Sequence, residues 1–342
     1  MKIVHIESGL GNQMLEFAQY LLLKKLNPNE KIYIEKIIYE IPECSEVVCQ
    51  WNGFELDKIF HVEYDDIKDI FTEEQWEKVV EYVRNSKFWE NNWDYSTAIV
   101  EALASQGCVV ENGCEKVEFI AKPSLKSRLT NNYIGYTIKR WLRPFYQEKY
   151  IQSMATKEDI FIQDERDLFL GNCLKLAIKN VNIEYIDAEI REAFTFPEIT
   201  DERNAKMVEY LRSVNSVAIH ARRGDMLRAN GYCYKYGFFK RSVKYIKKHV
   251  DNPVFVFFCD PGSMDWCREN EAIFGLNFNK DTIIFVEWNS GEDSFRDMQL
   301  MAECKHQIIT NSSFGWWGAY LNTNPDKITC SSSVWYNTTH TF

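Results

Sequence analysis

The strongest chemical signal in this chain is a pair of adjacent cations. In Val217-Ala218-Ile219-His220-Ala221-Arg222-Arg223-Gly224-Asp225 an apolar run leads straight into a histidine, two arginines and an aspartate. Two guanidiniums at a strand end need an anionic partner. A surface Arg–Asp pair would stabilise by only about 0–1 kcal/mol. A diphosphate fits better, because each planar, permanently charged fork can hold two phosphate oxygens. Asp225 would then orient an arginine, and Gly224 would let the chain turn sharply before it.

Two other segments could meet the same anion. Gly9-Leu10-Gly11-Asn12-Gln13 follows the first apolar run. Its glycines permit close backbone approach, and the helix after them offers free N–H groups and a positive dipole end. It is not the G-x-G-x-x-G dinucleotide fingerprint, and alone it reads as a tight turn. Ile308-Ile309-Thr310-Asn311-Ser312-Ser313-Phe314-Gly315-Trp316-Trp317-Gly318 places small hydroxyls at a helix start, where they cap the helix or donate to phosphate. Ser312 and Ser313 are the contacts it offers a ligand, whereas Trp316 and Trp317 read as core.

The elements that must position these residues follow from periodicity. Residues 2–6 predict a strand, 12–26 a helix with apolar residues at Met14, Leu15, Ala18, Leu21, Leu22 and Leu26, and 31–35 a second strand. Residues 40–200 are dense in Trp and Tyr and show no clean alternation. They read as largely helical, with helical patches at 73–84 and 165–178. From residue 201 the pattern becomes regular. Strands are predicted at 216–220, 254–259, 282–287, 306–310 and 327–330, and helices at 238–250, from Ser263, at 294–304 and at 313–321. Ser294-Phe295-Arg296-Asp297 has the form of a capping box. Repeated units of this kind predict an α/β chain with a doubly wound parallel sheet. At about 150 residues per domain, the length suggests two domains, 1–200 and 201–342. Ligands of such sheets sit at the carboxyl ends of the strands, which puts the residues after Ile219, Phe258 and Ile309 on one rim. Asp260, ending the 254–259 strand, joins the candidates.

Composition narrows the function. The net charge of -10 and pI near 5.3 exclude a broad basic surface and hence a general nucleic-acid binder, but not a local basic pocket. The 10 cysteines contain no C-x-x-C pair and read mainly as free thiols in a reducing compartment. The chain opens on a core strand with no signal-peptide pattern and contains no run of about 18 apolar residues, so the expected location is the cytoplasm.

Taken in order, the G-L-G-N-Q, H-x-R-R-x-D and N-S-S-F-x-W-W segments resemble glycosyltransferase family 11, the α-1,2-fucosyltransferases. Asp297-Met298-Gln299-Leu300-Met301 adds to the likeness. The resemblance implies a GT-B-type architecture, two domains facing a cleft, with GDP-fucose held mainly by the C-terminal one. It implies that Arg222 and Arg223 contact the donor diphosphate and that His220 and Asp260 lie at its nucleoside end. Ser312, Ser313 and Phe314 would line the phosphate and base pocket, with Gly9, Gly11 and Asn12 closing over the donor from the other domain. Two departures stand out. Ser8, preceded by Glu7, replaces the first of the family's two glycines, and Met14-Leu15-Glu16-Phe17-Ala18 replaces M-F-Q-Y-A. They bear on acceptor choice, not on donor class.

The reaction so implied is an inverting transfer of L-fucose from GDP-β-L-fucose to the 2-hydroxyl of a galactose-type acceptor. No metal cofactor is expected: the chain has no D-x-D motif, and two arginines can steady the departing diphosphate instead. Asp225 is the first candidate for the base, followed by His220 and Glu7. A related transferase with another donor or linkage, and a non-catalytic sugar-nucleotide-binding protein, stay open. So do a lipid-linked acceptor and a peripheral contact with the inner membrane face through the aromatic-rich middle.

Overall fold

The computed structural model describes residues 1–47, 52–90, 93–111, 132–142, 145, 166–170, 184–224, 227–331 and 340–341. The chain divides into two compact units, Met1–Leu129 with Lys149–Thr195, and Thr130–Glu148 with Phe196–Phe342.

In unit 1 three parallel strands pair in the order β2-β1-β3, with β1 at Lys2–His5, β2 at Ile32–Glu35 and β3 at Leu168–Phe169. Helix α1, Leu10–Leu26, joins β1 to β2 as the periodicity predicts. It stops where the Asn27 side chain donates to the Leu23 carbonyl. Helices α2 (Pro42–Val47), α3 (Leu56–Phe60), α4 (Glu73–Ser86), α5 (Tyr95–Ser105) and α6 (Asp187–Ala193) complete the described part. The expected patch at 73–84 is α4. Thr72 and Gln75 close a reciprocal capping box, and Trp76, Val79 and Val83 form its buried stripe. The patch expected at 165–178 is corrected where it is described. Leu168 and Phe169 pair with Ile3 and Val4 and are fully buried. The open edge of a buried β1 must find backbone partners, and that need overrides local helical spacing. The remainder of that patch lies outside the described residues.

In unit 2 six parallel strands run in the order β6-β5-β4-β7-β8-β9. They are β4 (Asn215–Ala221), β5 (Pro253–Cys259), β6 (Thr282–Val286), β7 (His306–Ile309), β8 (Thr329–Ser331) and β9 (His340–Thr341). The first five are the predicted strands. The apolar runs of β4 and β5 are buried on both faces, as a parallel sheet under helices requires. Helices α7 (Glu202–Ser213), α8 (Leu227–Lys235), α9 (Phe238–His249), α10 (Met264–Glu269), α11 (Glu271–Phe274), α12 (Phe295–Glu303) and α13 (Ser313–Leu321) connect them. The Ser294 cap does not form. Ser294 is itself in the helical region and makes no side-chain cap bond. Asp297 instead accepts from Asn289, in a cluster with Asn204 and Trp288. Burial raises its pKa to about 7. α13 is apolar on every side and sinks Trp316 and Trp317 into the core, as expected.

The chain steps outward from β4 to β5 to β6, then returns to lay β7 on the other side of β4. The sheet therefore reverses direction between β4 and β7, the place where open α/β sheets form a ligand crevice. Seven of the ten cysteines are described, and all seven are free thiols. Among the described residues no helix is long and apolar enough to cross a membrane.

Candidate functional site

The β4/β7 reversal is stitched together by one hydroxyl. The Thr310 side chain donates to the His220 carbonyl (3.2 Å) and accepts from the Arg222 N–H (3.3 Å). This fixes the chain as it leaves β4, where the two arginines begin. On the other side the Arg223 N–H donates to Asp260 Oδ1 (2.5 Å), and Asp260 Oδ2 accepts from the Ser263 hydroxyl (2.7 Å). Asp260 is buried, and both its oxygens are engaged with unit 2. It holds the arginine backbone in place, the orienting task expected of Asp225. Asp225 itself lies outside the described residues.

The Arg223 guanidinium lies over the Trp266 ring, 3.2 Å from its centroid, with Tyr234 at 5.2 Å. No carboxylate pairs with it among the described residues. An aromatic face attracts a guanidinium without neutralising its charge, which stays available to an anion. The Arg–Asp pair weighed in the sequence turns on Asp225 and so lies outside the described residues.

His220 ends the strand from inside. Burial, followed by the charge of Arg222, pushes its pKa down to about 3, against a smaller opposing pull from Asp260. The ring is therefore neutral, and its buried Nδ1 has no hydrogen-bond partner among the described residues. Phe314 stacks on it, centroids 5.8 Å apart and planes 28° from parallel. Gly315 follows, and a Cβ there would collide with the His220 ring. Ser312 is the N-cap of α13 in an extended conformation, yet its hydroxyl makes no cap bond. Ser312 and the N-terminus of α13 thus stand at the carboxyl end of β7. Positions of this kind favour an anion.

Unit 2 therefore gathers His220, Arg222, Arg223, Asp260, Ser312, Ser313 and Phe314 at the carboxyl ends of β4, β5 and β7. Sequence reasoning missed Thr310, Ser263, Trp266 and Gly315. Thr310 stood inside a quoted motif, and its place directly after an apolar strand was its only signal.

Gly9, Gly11 and Asn12 lie in unit 1, at the turn from β1 into α1. The turn is held from several sides. Gln13 donates to the carbonyls of Ser8 and Gly53 and accepts from the Glu55 N–H. The Leu10 N–H donates to Glu55 (3.1 Å). A carboxylate of the chain thus occupies that position at the start of α1. Ser8 has φ +67°, in the left-handed region, which explains why a glycine suits this position. Glu16 accepts from the Glu7 N–H (2.8 Å), and burial holds its pKa well above the usual carboxylate range. His5 Nδ1 bonds Glu35 at 2.6 Å, and Glu7 stands 3.6 Å from Nε2. Burial alone would lower the His5 pKa. Glu35, with smaller help from Glu7, wins and raises it to about 10.

Against known proteins, residues 120–341 match the model of glycosyl transferase family 11. An Escherichia coli α-1,2-colitosyltransferase is 35% identical over 156 residues, 43% of this chain and 50% of the relative. Galactoside α-(1,2)-fucosyltransferase 1 of Saimiri sciureus is 28% identical over 149 residues, 40% and 39% of the two chains. The match thus spans half or less of these relatives' length. The fucosyltransferase NodZ of Bradyrhizobium aligns over 92% of this chain and 90% of its own at 10% identity, with a TM-score of 0.41. The family match covers most of the chain, including every unit-2 residue assembled above; the chain belongs to glycosyl transferase family 11.

Proposed function

We propose that the chain transfers L-fucose from GDP-β-L-fucose to the 2-hydroxyl of a galactose-type acceptor, with inversion and without a metal cofactor. The observation that carries this reading is the Arg223 guanidinium, over the Trp266 ring and with no carboxylate partner among the described residues, beside the β4/β7 reversal. A permanent charge fixed before the reaction needs no reorganisation as negative charge gathers on the leaving diphosphate. Arg222 and the start of α13, with Ser312 and Ser313, extend the same positive environment. Phe314, stacked on the neutral His220 ring, offers a flat apolar surface to the nucleoside end. The family and the α-(1,2)-fucosyltransferase relative support the sugar and the linkage.

The test is direct. Purified protein in EDTA should move fucose from GDP-fucose to a β-galactoside, with the new bond identified as α-1,2 by NMR. Removing one such charge contact costs roughly 2.7–4 kcal/mol in the transition state, so Arg223→Ala should lower kcat by about 10²–10³-fold. Activity that vanishes in EDTA and returns with a divalent ion would end the metal-free reading.

A second donor has a specific observation behind it: the colitosyltransferase is 35% identical where the fucosyltransferase is 28%. Colitose is fucose without its 3-hydroxyl. A pocket that hydrogen-bonds that hydroxyl rejects the deoxy sugar by about 10⁴–10⁵-fold, whereas one that merely accommodates it discriminates by about 10² or less. Competition between the two GDP-sugars in one assay separates these cases. GDP binding without turnover of either would favour a sugar-nucleotide-binding protein.

A further inference from the structure

Residues 133–142 form a helix of unit 2 that is built inside out. Asn132 caps its start, accepting from the Gly135 N–H at 2.9 Å. Its inward side is settled: Tyr136 stacks on Tyr236 (5.2 Å) and lies 5.8 Å from Tyr232. The opposite side carries Ile134, Ile138, Trp141 and Leu142, continued by Phe145. These positions recur at the spacing of one helical stripe. They are 71%, 53%, 79%, 42% and 70% exposed, and Tyr133 beside them is 65% exposed. Buried Trp316 and Trp317 show how the same chain treats aromatic rings it means to cover. A contiguous apolar stripe on a surface marks a binding face.

Charge says what kind of surface it meets. The chain carries a net -10, yet this helix bears Lys139 and Arg140 and no acid between residues 132 and 142. Its Tyr136 lies over Arg241 of α9 (5.9 Å). Along α9, Lys240, Lys244 and Lys248 are exposed one turn apart, and none of the three is in an ion pair among the described residues. A basic helix whose outer stripe is apolar, with Trp and Tyr among its exposed rings, has the composition of one that lies in the boundary between lipid headgroups and acyl chains. At about 1.5 Å per residue it is too short to cross a bilayer and long enough to lie on one.

We propose that the helix at residues 133–142 docks this protein onto an anionic lipid surface, the Ile134–Ile138–Trp141 stripe inserting and the exposed lysines of α9 meeting the headgroups. The inference does not depend on which sugar is transferred. The full-length protein is sedimented with vesicles of phosphatidylcholine alone and with vesicles also containing phosphatidylglycerol. It should partition onto the anionic vesicles, with a blue shift of tryptophan emission, and added salt should weaken the partition. Ile138→Asn with Trp141→Ser should lower it by about tenfold or more. Lys240→Glu with Lys244→Glu should reduce binding on anionic vesicles to the level on neutral ones. Both variants should keep the thermal shift produced by GDP, which shows that unit 2 is folded. Binding equal to the parent protein in either variant, or no partition onto either vesicle, overturns the proposal. A dimer that Trp141→Ser dissociates, with no vesicle binding, assigns the stripe to a second copy and overturns it too.

Discussion

Arg223 and His220 divide the work of the candidate site between charge and shape. Arg223 is half-buried, with its guanidinium over an aromatic face and no carboxylate partner among the described residues. His220 is buried, neutral and one partner short. Its position depends on Gly315 having no side chain, since any Cβ there must displace the ring. Gly315→Ala should therefore lose most of its GDP affinity in calorimetry while keeping its helical signal. Unchanged affinity would show that the ring does not matter to the ligand. In unit 1 the His5–Glu35 pair makes a pH prediction. The folded pKa of His5, about 10, lies above its ordinary 6.5. The stability it contributes is complete below pH 6.5 and is lost as pH rises through about 10. Urea midpoints measured from pH 6 to 10 should fall, and Glu35→Gln should flatten that slope.

At the level of elements, two backbone positions carry measurable strain or contact. Ser8 sits at φ +67°. Ser8→Gly should raise stability by about 0.5–1 kcal/mol by chemical denaturation. Gly318 lets α12 and α13 touch, because an added Cβ would come within 2.9 Å of the Met301 Cβ. Gly318→Ala should cost about 1–3 kcal/mol. What was legible in the sequence follows the same physics. β4, β5 and β7 announced themselves as apolar runs because both their faces are covered. The arginines, His220, Phe314 and the paired serines could be picked out because their chemistry is visible in their type. β3 could not, since two residues become a strand only through a pairing with β1 that no local pattern encodes. Ser294-x-x-Asp297 misled because Asp297 is claimed by Asn289, a neighbour in space. Trp266 and Gly315 stayed hidden for a related reason. Each matters through contact with a residue that the fold, not the spacing, brings to it.

For the molecule as a whole, the reversal between β4 and β7 predicts where a nucleotide should be felt. Binding to the native state alone raises its stability by about 2.7 kcal/mol at a hundred times Kd. With GDP bound, hydrogen exchange should slow in the turn after β4, in the turn after β7 and at the start of α13. Protection confined to β6 or to α4 would place the nucleotide elsewhere.

The division of the chain into units bears on how the protein is made. Unit 1 draws on Met1–Leu129 and again on Lys149–Thr195, and its central strand is its first. β1 is made more than 160 residues before the neighbour for its second edge, Leu168–Phe169. Through most of the intervening synthesis, that row of amides and carbonyls has no native partner and remains open to wrong pairing. A nascent chain stalled before residue 168 should thus aggregate or recruit a holdase, whereas one stalled beyond residue 195 should not.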